Sequence, residues 1–265
     1  MTALFSYLEI TSSSFYKRKK QSNSKQEELG VICHLIDEIR RDHPKMGLEA
    51  IYKKLNPKEM GRDKFVSIFM NLGYGVRQKR KFVKTTDSSG VKRFENRLID
   101  LELNNINQCF VSDITYFEMN GQFYYLTFIM DLFNREVVGY SASNTLRTVD
   151  TTIPAIKMLI KNRGIKALNK AIFHSDGGGQ YYADAFINLT QKNMKMIPSM
   201  GKICFDNPHA ERLNGVLKNN YIIPYGPKNF NDLTRKTKKA VYMYNYEKPH
   251  KALNGMSPMG FKSVA

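Results

Sequence analysis

The chain has 265 residues, of which 42% are hydrophobic and 12% aromatic, so it is long and apolar enough for one large or two smaller folded domains. Its 41 Lys and Arg residues outnumber 24 Asp and Glu residues and give a net charge of +17, which is spread over both halves and excludes a basic tail on a neutral enzyme. Such an excess is typical of nucleic-acid-binding proteins, although general solubility is the other interpretation.

The cysteines and apolar segments indicate a cytoplasmic protein. Cys33, Cys109 and Cys204 are far apart and odd in number, which favours a reducing compartment without a disulfide framework. The longest apolar run meets Asp131 after eight residues, which is too short to span a bilayer. The first residues lack a basic region followed by an apolar core, so we expect neither a signal peptide nor a membrane segment.

The front of the chain predicts short helices. Apolar residues within 25–42 recur at spacings of 3, 4 and 3, which indicates an amphipathic helix that ends before Pro44. Residues 47–55 and 62–73 predict two further helices. In a basic chain this pattern suggests a helix-turn-helix DNA-binding region over residues 1–75, and a plain helical bundle explains the periodicity equally well.

A basic linker is predicted over residues 76–104. Residues 76–97 hold eight basic and two acidic residues around a central loop composition. This segment can lie along a phosphate backbone, or it can be a solvated spacer. The candidate DNA contacts in it are Arg77, Lys79, Arg80 and Lys81.

After residue 105 the pattern predicts an α/β fold. Three runs rich in β-branched and aromatic residues, at 109–119, 123–133 and 137–143, indicate an antiparallel meander with a turn at 120–122. Helices and strands then alternate, with helices at 148–164, 183–193, 206–222 and 232–250 and strands at 170–176 and 194–200. We therefore predict a mixed sheet, three antiparallel strands followed by parallel ones, with helices on both faces.

Three carboxylates in this region are candidates for catalysis. Asp113 lies in mid-strand, Asp176 ends a strand before three glycines, and Glu211 lies in the first turns of a helix. Each has an ordinary interpretation alone: a solvent-facing edge residue, a turn residue, and a favourable partner of the helix dipole. Together they form a set of hard oxygen ligands for two divalent cations. Such ions activate a hydroxyl and stabilise the leaving oxygen at phosphorus without a histidine base.

The motifs around these residues resemble a known family. The motifs are "FVSDITYF", "FIMDLFNREVVGYS", "FHSDGGGQY", "DNPHAERLNGVLKNNYI" and "YNYEKPHKALNGMSP", preceded by "SSSFYKRKK", "HPKMGLEAIYKKL" and "NLGYGV". In this order the chain resembles the second-frame (OrfB) transposases of the IS3 family of bacterial insertion sequences, which carry a retroviral-integrase-type core. The resemblance spans nearly the whole chain.

The resemblance implies an RNase H-like integrase catalytic core over residues 105–225, with a C-terminal helical extension over 226–265. It implies Asp113, Asp176 and Glu211 as the catalytic D,D,E triad, which would hold two Mg²⁺ or Mn²⁺ ions. Two features depart from the family pattern. The 34 residues between Asp176 and Glu211 are one fewer than is common. Three glycines, residues 177–179, also replace a segment that often contains polar residues.

The function that the resemblance implies is metal-dependent strand cleavage and 3′-hydroxyl strand transfer at insertion-sequence ends. The implied partners are terminal inverted repeats, target DNA, at least a second copy of the chain, and an OrfA protein, separate or joined by frameshifting. The implied location is the nucleoid-associated bacterial cytoplasm. The alternatives are an inactive DNA-binding regulator and an RNase H-like nuclease.

Other basic residues are predicted DNA contacts. Lys218 falls on the same side of its helix as Glu211, and the resemblance places a DNA-contacting lysine near it, although a solvated lysine is an equal interpretation. Arg235, Lys236 and Lys239 on the last helix are phosphate contacts or simply a solvated face. For His174, His209 and Asp131 we expect structural roles.

Overall fold

The computed structural model describes residues 5, 7, 11–58, 60–76, 94–201 and 207–264. The chain divides into two compact units, Met1–Gly75 and Val76–Ala265. In the described ranges, no helix is both long and apolar enough to cross a membrane.

The first unit packs three helices around an apolar core. Its helices are α1 (Ser12–Asp42), α2 (Leu48–Leu55) and α3 (Arg62–Asn71). Phe65 and Phe69 are fully buried between them. Helix α1 begins well before the predicted residue 25, because its polar first half carries no apolar periodicity to reveal it, and the Thr11 hydroxyl caps it by accepting from the Ser14 amide. DNA binding by this unit stays a prediction.

The second unit is built on a mixed sheet, which confirms the predicted fold class. Strands β1 (Cys109–Met119), β2 (Gln122–Asp131) and β3 (Val137–Ser143) form the antiparallel meander. Strands β4 (Ile172–Ser175) and β5 (Ile197–Met200) run parallel to β1, in the order β3-β2-β1-β4-β5. The β1–β2 turn places Asn120 and Gly121 at φ of 53° and 73°, and these two residue types tolerate that conformation best.

Helices cover both faces of the sheet. They are α4 (Thr152–Arg163), α5 (Ile165–Leu168), α6 (Asp184–Ile187), α7 (Pro208–Leu217), α8 (Ile223–Tyr225), α9 (Phe230–Tyr242) and α10 (Pro258–Lys262). Alternation along β1 sends Phe110 into the core beneath α4 and α6, and Val111 into the core beneath α7 and α9. Asp113 shares its side of β1 with Val111 and therefore points towards α7.

Three predicted helices change type before they end. Each continues as a π-helix, over Asn188–Asn193, Lys218–Ile222 and Met243–Glu247, and single 3₁₀ turns lie at Gly179–Tyr181 and Lys251–Leu253. The π-helical segment after α9 stops at Glu247, two residues before Pro249, because a proline disfavours helical geometry in the residue before it.

Part of the predicted linker packs on the second unit. Residues 77–93, with the predicted DNA contacts Arg77, Lys79, Arg80 and Lys81, lie outside the described residues. Residues 94–97 lie along the edge of β5, where the Met200 amide donates to the Glu95 carbonyl at 3.2 Å. Phe94 stacks on Tyr182 with ring centroids 6.0 Å apart, and the Arg97 amide donates to the Ser199 hydroxyl at 2.8 Å. Residues 94–97 are therefore fixed on the core.

Candidate active site

Asp113 and Asp176 are brought side by side by the pairing of two parallel strands. The β1–β4 ladder ends with Ser112 opposite Ser175, so the two aspartates occupy the next position on each strand. Neighbouring strands are about 4.8 Å apart, which places the two carboxylates within direct electrostatic reach. Residues 63 positions apart in the sequence thus share one site.

Asp113 is held by two hydrogen bonds. Its Oδ1 accepts from the amide of Ile114 at 2.8 Å, and its Oδ2 accepts from Nδ2 of Asn214 at 2.8 Å. Burial and, next, the charge of Asp176 raise the pKa of Asp113 to about 7, and Glu211 adds to the rise. The two hydrogen bonds favour the carboxylate but do not offset these effects.

Asp176 is fixed by the glycine loop. Its Oδ1 accepts from the Gly178 amide at 3.1 Å, while its backbone oxygen accepts from the Tyr182 hydroxyl at 3.0 Å. A Cβ added to Gly178 would lie 3.0 Å from Oδ1 of Asp176, whereas a Cβ on Gly179 would meet nothing within 4 Å. Close approach of the backbone to the carboxylate therefore explains a glycine at 178. Burial raises the pKa of Asp176.

Helix α7 brings Glu211 over the strand ends. Nδ2 of Asn207, just before the helix, donates to the Ser112 carbonyl at 2.9 Å, and one turn beyond Glu211 the helix is tied to β1 through Asn214 and Asp113. Glu211 itself is exposed. Partial burial and the charge of Asp176 raise its pKa. The three predicted carboxylates thus act on one another electrostatically, although they come from two strands and a helix.

The donor set fits a hard divalent cation. In the ranges that the structure describes, no three His, Cys, Asp or Glu side chains are already grouped closely enough to enclose a metal ion. Mg²⁺ sites commonly use one or two carboxylates and complete the shell with water and substrate phosphate. The adjacent Asp113 and Asp176, with the exposed Glu211 nearby, match that requirement. After burial, the charge of Asp176 raises the pKa of both Asp113 and Glu211, which indicates uncompensated negative charge there.

Lys218 continues the site along β1. Its Nζ donates to the Thr115 hydroxyl at 3.1 Å and to the Tyr116 carbonyl at 3.2 Å. It is half-buried, and burial lowers its pKa while Asp113 raises it. The lysine therefore lies next to the carboxylates rather than on a freely solvated face.

The other predicted DNA contacts on α9 have local partners. Arg235 and Lys236 both form ion pairs with Asp232, at 2.6 and 2.9 Å, and the Lys239 ammonium lies 5.2 Å from the Tyr225 ring centroid. Their contact with DNA stays a prediction.

The residues expected to be structural have protein partners. His174 is fully buried, with Nδ1 2.8 Å from the Ser199 hydroxyl. His209 Nδ1 lies 2.9 Å from Nη1 of Arg135. Asp131 shapes the β2–β3 turn by accepting from the Asn107 and Phe133 amides at 2.7 and 3.1 Å.

The role of Asn214 is not predicted from the sequence. This side chain donates to Asp113 from α7, three residues after Glu211. The i, i+3 spacing from Glu211 on one helix face is the signal that could have indicated this role.

Two family profiles, both described as "Integrase core domain", match residues 104–201 and 194–258 and together cover more than half of the chain. The chain is 29% identical over 77% of its length to the "Insertion element IS600 uncharacterized 31 kDa protein" of Shigella sonnei, of which it spans 75%. It is 32% identical over 55% of its length to "Transposase InsF for insertion sequence IS3A" of Escherichia coli K12, of which it spans 51%.

The chain belongs to the integrase core family of insertion-sequence transposases. A structure of a simian T-cell lymphotropic virus intasome in complex with a PP2A regulatory subunit contains a chain that aligns with a TM-score of 0.51 and 15% identity, covering 81% of this chain and 74% of that one. That likeness confirms the fold. The transposase relatives support a function in DNA transposition, and the chain spans only about half the length of several of them.

Proposed function

We propose that this transposase catalyses metal-dependent strand cleavage and 3′-hydroxyl strand transfer at insertion-sequence ends. The observation that carries the proposal is the adjacency of Asp113 and Asp176 at two parallel strand ends, with Glu211 on the helix above them. After burial, the charge of Asp176 raises the pKa of both Asp113 and Glu211. Carboxylates that repel one another in this way are suited to bind cations.

Asp113, Asp176 and Glu211 would hold Mg²⁺ or Mn²⁺, which when bound lowers the pKa of an attacking hydroxyl and neutralises charge on the leaving oxygen. The chain's own groups orient the ligands. The Ile114 amide and Asn214 fix both oxygens of Asp113, and the Gly178 amide fixes Asp176. In each step one oxygen–phosphorus bond forms as another breaks, and the proton of the attacking hydroxyl leaves to solvent.

The proposed partners follow from the reaction. Two element ends and a target must be handled together, so we propose that at least two copies of the chain act on DNA. An OrfA protein, separate or fused by frameshifting, is part of the same proposal. The basic excess of +17 supports a DNA partner.

The test is a strand-transfer assay with Mg²⁺ on a labelled duplex that carries the element's own end. Asp113→Asn keeps the size of the side chain but removes its charge, so strand transfer should fall to background while DNA binding persists. Asp100→Asn is the matched control, because Asp100 is exposed and lies outside the carboxylate group. Full activity in the Asp113 variant would refute the proposal.

The same preparation separates the alternatives. An RNase H-like nuclease would cleave an RNA–DNA hybrid in preference to joining DNA ends, and an inactive regulator would bind DNA without either reaction. The similarity to transposases favours neither alternative.

A further inference from the structure

A group of basic side chains lies around the start of α7, the helix that carries Glu211. We call Arg135, His209, Arg212 and Lys248 the basic cluster. They come from the β2–β3 turn, the first turns of α7, and the segment after α9. Arg135 Nη1 lies 2.9 Å from His209 Nδ1. Because a guanidinium only donates, Nδ1 accepts, and the imidazole is neutral with its proton on Nε2.

The three segments are joined by buried hydrogen bonds. Asn245, in the segment after α9, accepts from the Val137 amide and donates to the Val137 carbonyl, both at 2.9 Å. Arg135, two residues before Val137, has a φ of 63°, a backbone conformation that residues other than Asn, Asp and Gly rarely adopt. The turn therefore holds an arginine where its backbone would favour glycine or asparagine.

The acidic residues near the β2–β3 turn bind groups outside the basic cluster. Glu136 forms ion pairs with Arg163 and with Lys262, the latter at 3.3 Å, and Asp131 binds backbone amides. Among the described residues, no carboxylate forms an ion pair with Arg135, Arg212 or Lys248. Lys248 does donate to the Pro249 carbonyl at 3.3 Å. The cluster thus carries three formal positive charges without an acidic partner in the part of the chain that the structure describes.

The electrostatics agree with close packing of these charges. Burial and then Arg212 lower the pKa of Lys248, and burial followed by Lys248 lowers the pKa of the adjacent His250 to about 3. His250 is therefore neutral at pH 7, and its ring packs edge-on against Tyr244 with centroids 4.7 Å apart. Cations that repel one another would gain from an anion between them.

We propose that the basic cluster binds a phosphodiester group of the DNA strand that enters the active site. Arg212 directly follows Glu211 in α7, so a phosphate bound there would lie on the neighbouring side of the helix that carries Glu211. His209 and Arg212 are three residues apart and therefore share that side. A DNA strand that crosses the start of α7 would thus meet both the cluster and Glu211.

The test measures DNA affinity of the full chain and does not require catalysis. The probe is a fluorescein-labelled 30-base-pair duplex in metal-free buffer, and the variant is Arg212→Gln/Lys248→Gln. Loss of two phosphate contacts should weaken binding by about tenfold or more at 0.1 M salt, and reduce the slope of log K against log salt by about 1.8. Lys161→Gln and Lys157→Gln together make the matched control, because both lysines are exposed on α4, on the opposite face of the sheet.

Unchanged affinity and salt slope in the double variant, with the fold intact by circular dichroism, would overturn the proposal. A second arm measures thermal stabilisation by inorganic phosphate. Stabilisation that is lost in the double variant while DNA binding is unchanged would identify free phosphate as the ligand and overturn the assignment to DNA. The inference rests on the proposed function, because it assumes that the bound DNA strand leads to the active site. The two proposals can fail separately, because Asp113→Asn tests catalysis and the double variant tests DNA binding.

Discussion

The raised pKa of Asp113 predicts how stability depends on pH without metal. Folding raises the pKa of this carboxyl from 3.8 to about 7, so the folded protein favours its protonated form. Its contribution to stability is complete below about pH 4 and is lost as pH rises through 7. A rise of about 3 units corresponds to at most about 4 kcal/mol, and solvent around the exposed Glu211 screens part of it.

Asp113→Asn removes this titration. In metal-free buffer we expect wild type to lose about 2–4 kcal/mol of unfolding free energy between pH 4 and pH 8 relative to the variant. Urea unfolding at intervals of one pH unit measures the difference, with Asp100→Asn as the control that should follow wild type. Mg²⁺ at pH 8 should restore stability to wild type but much less to the Asp113 variant, because an ion that binds only the folded state stabilises it.

A constant difference between wild type and Asp113→Asn from pH 4 to pH 8 would refute the reasoning. It would show that the carboxyl ionises as in the unfolded chain, and therefore that Asp176 and Glu211 do not act on it. Equal stabilisation of both proteins by Mg²⁺ would likewise place the cation elsewhere.

Two substitutions test the support of the aspartates. Gly178→Ala should lower strand transfer by about tenfold or more, because the new methyl group would press on Asp176, and small misplacements of reacting groups are costly. Gly179→Ala should stay near wild type in the same assay, and equal losses would contradict the close-approach argument. Asn214→Leu removes a hydrogen bond to a charged group, worth about 1.5–3 kcal/mol, and should raise the Mg²⁺ concentration needed for half-maximal strand transfer. An unchanged Mg²⁺ dependence would show that Asn214 does not orient Asp113.

The sequence predicted those parts of the fold that depend on local pattern. Strand β1 was predicted at its observed bounds, because alternation of apolar side chains and the following Asn120–Gly121 turn are both local signals. The polar first half of α1 was missed because it buries little and so shows no periodicity. The π-helical ends of three helices were missed because an extra residue per turn leaves no composition signal.

The site could be predicted as a set of residue types but not as a geometry. No local sequence pattern predicts that Ser112 pairs with Ser175. This register nevertheless decides whether Asp113 lies beside Asp176, because a one-residue slip would turn one of the two side chains to the opposite face of the sheet. The basic cluster depends even more on long-range contacts. Lys248 comes near the segment that holds Arg135 only because Asn245 hydrogen-bonds to Val137, 108 residues away in the sequence. From composition alone, the members of the basic cluster are indistinguishable from the other basic residues of the chain. Among the described residues these cations have no acidic partner, which is what points to a phosphate, and this appears only after Glu136 has been assigned to Arg163 and Lys262.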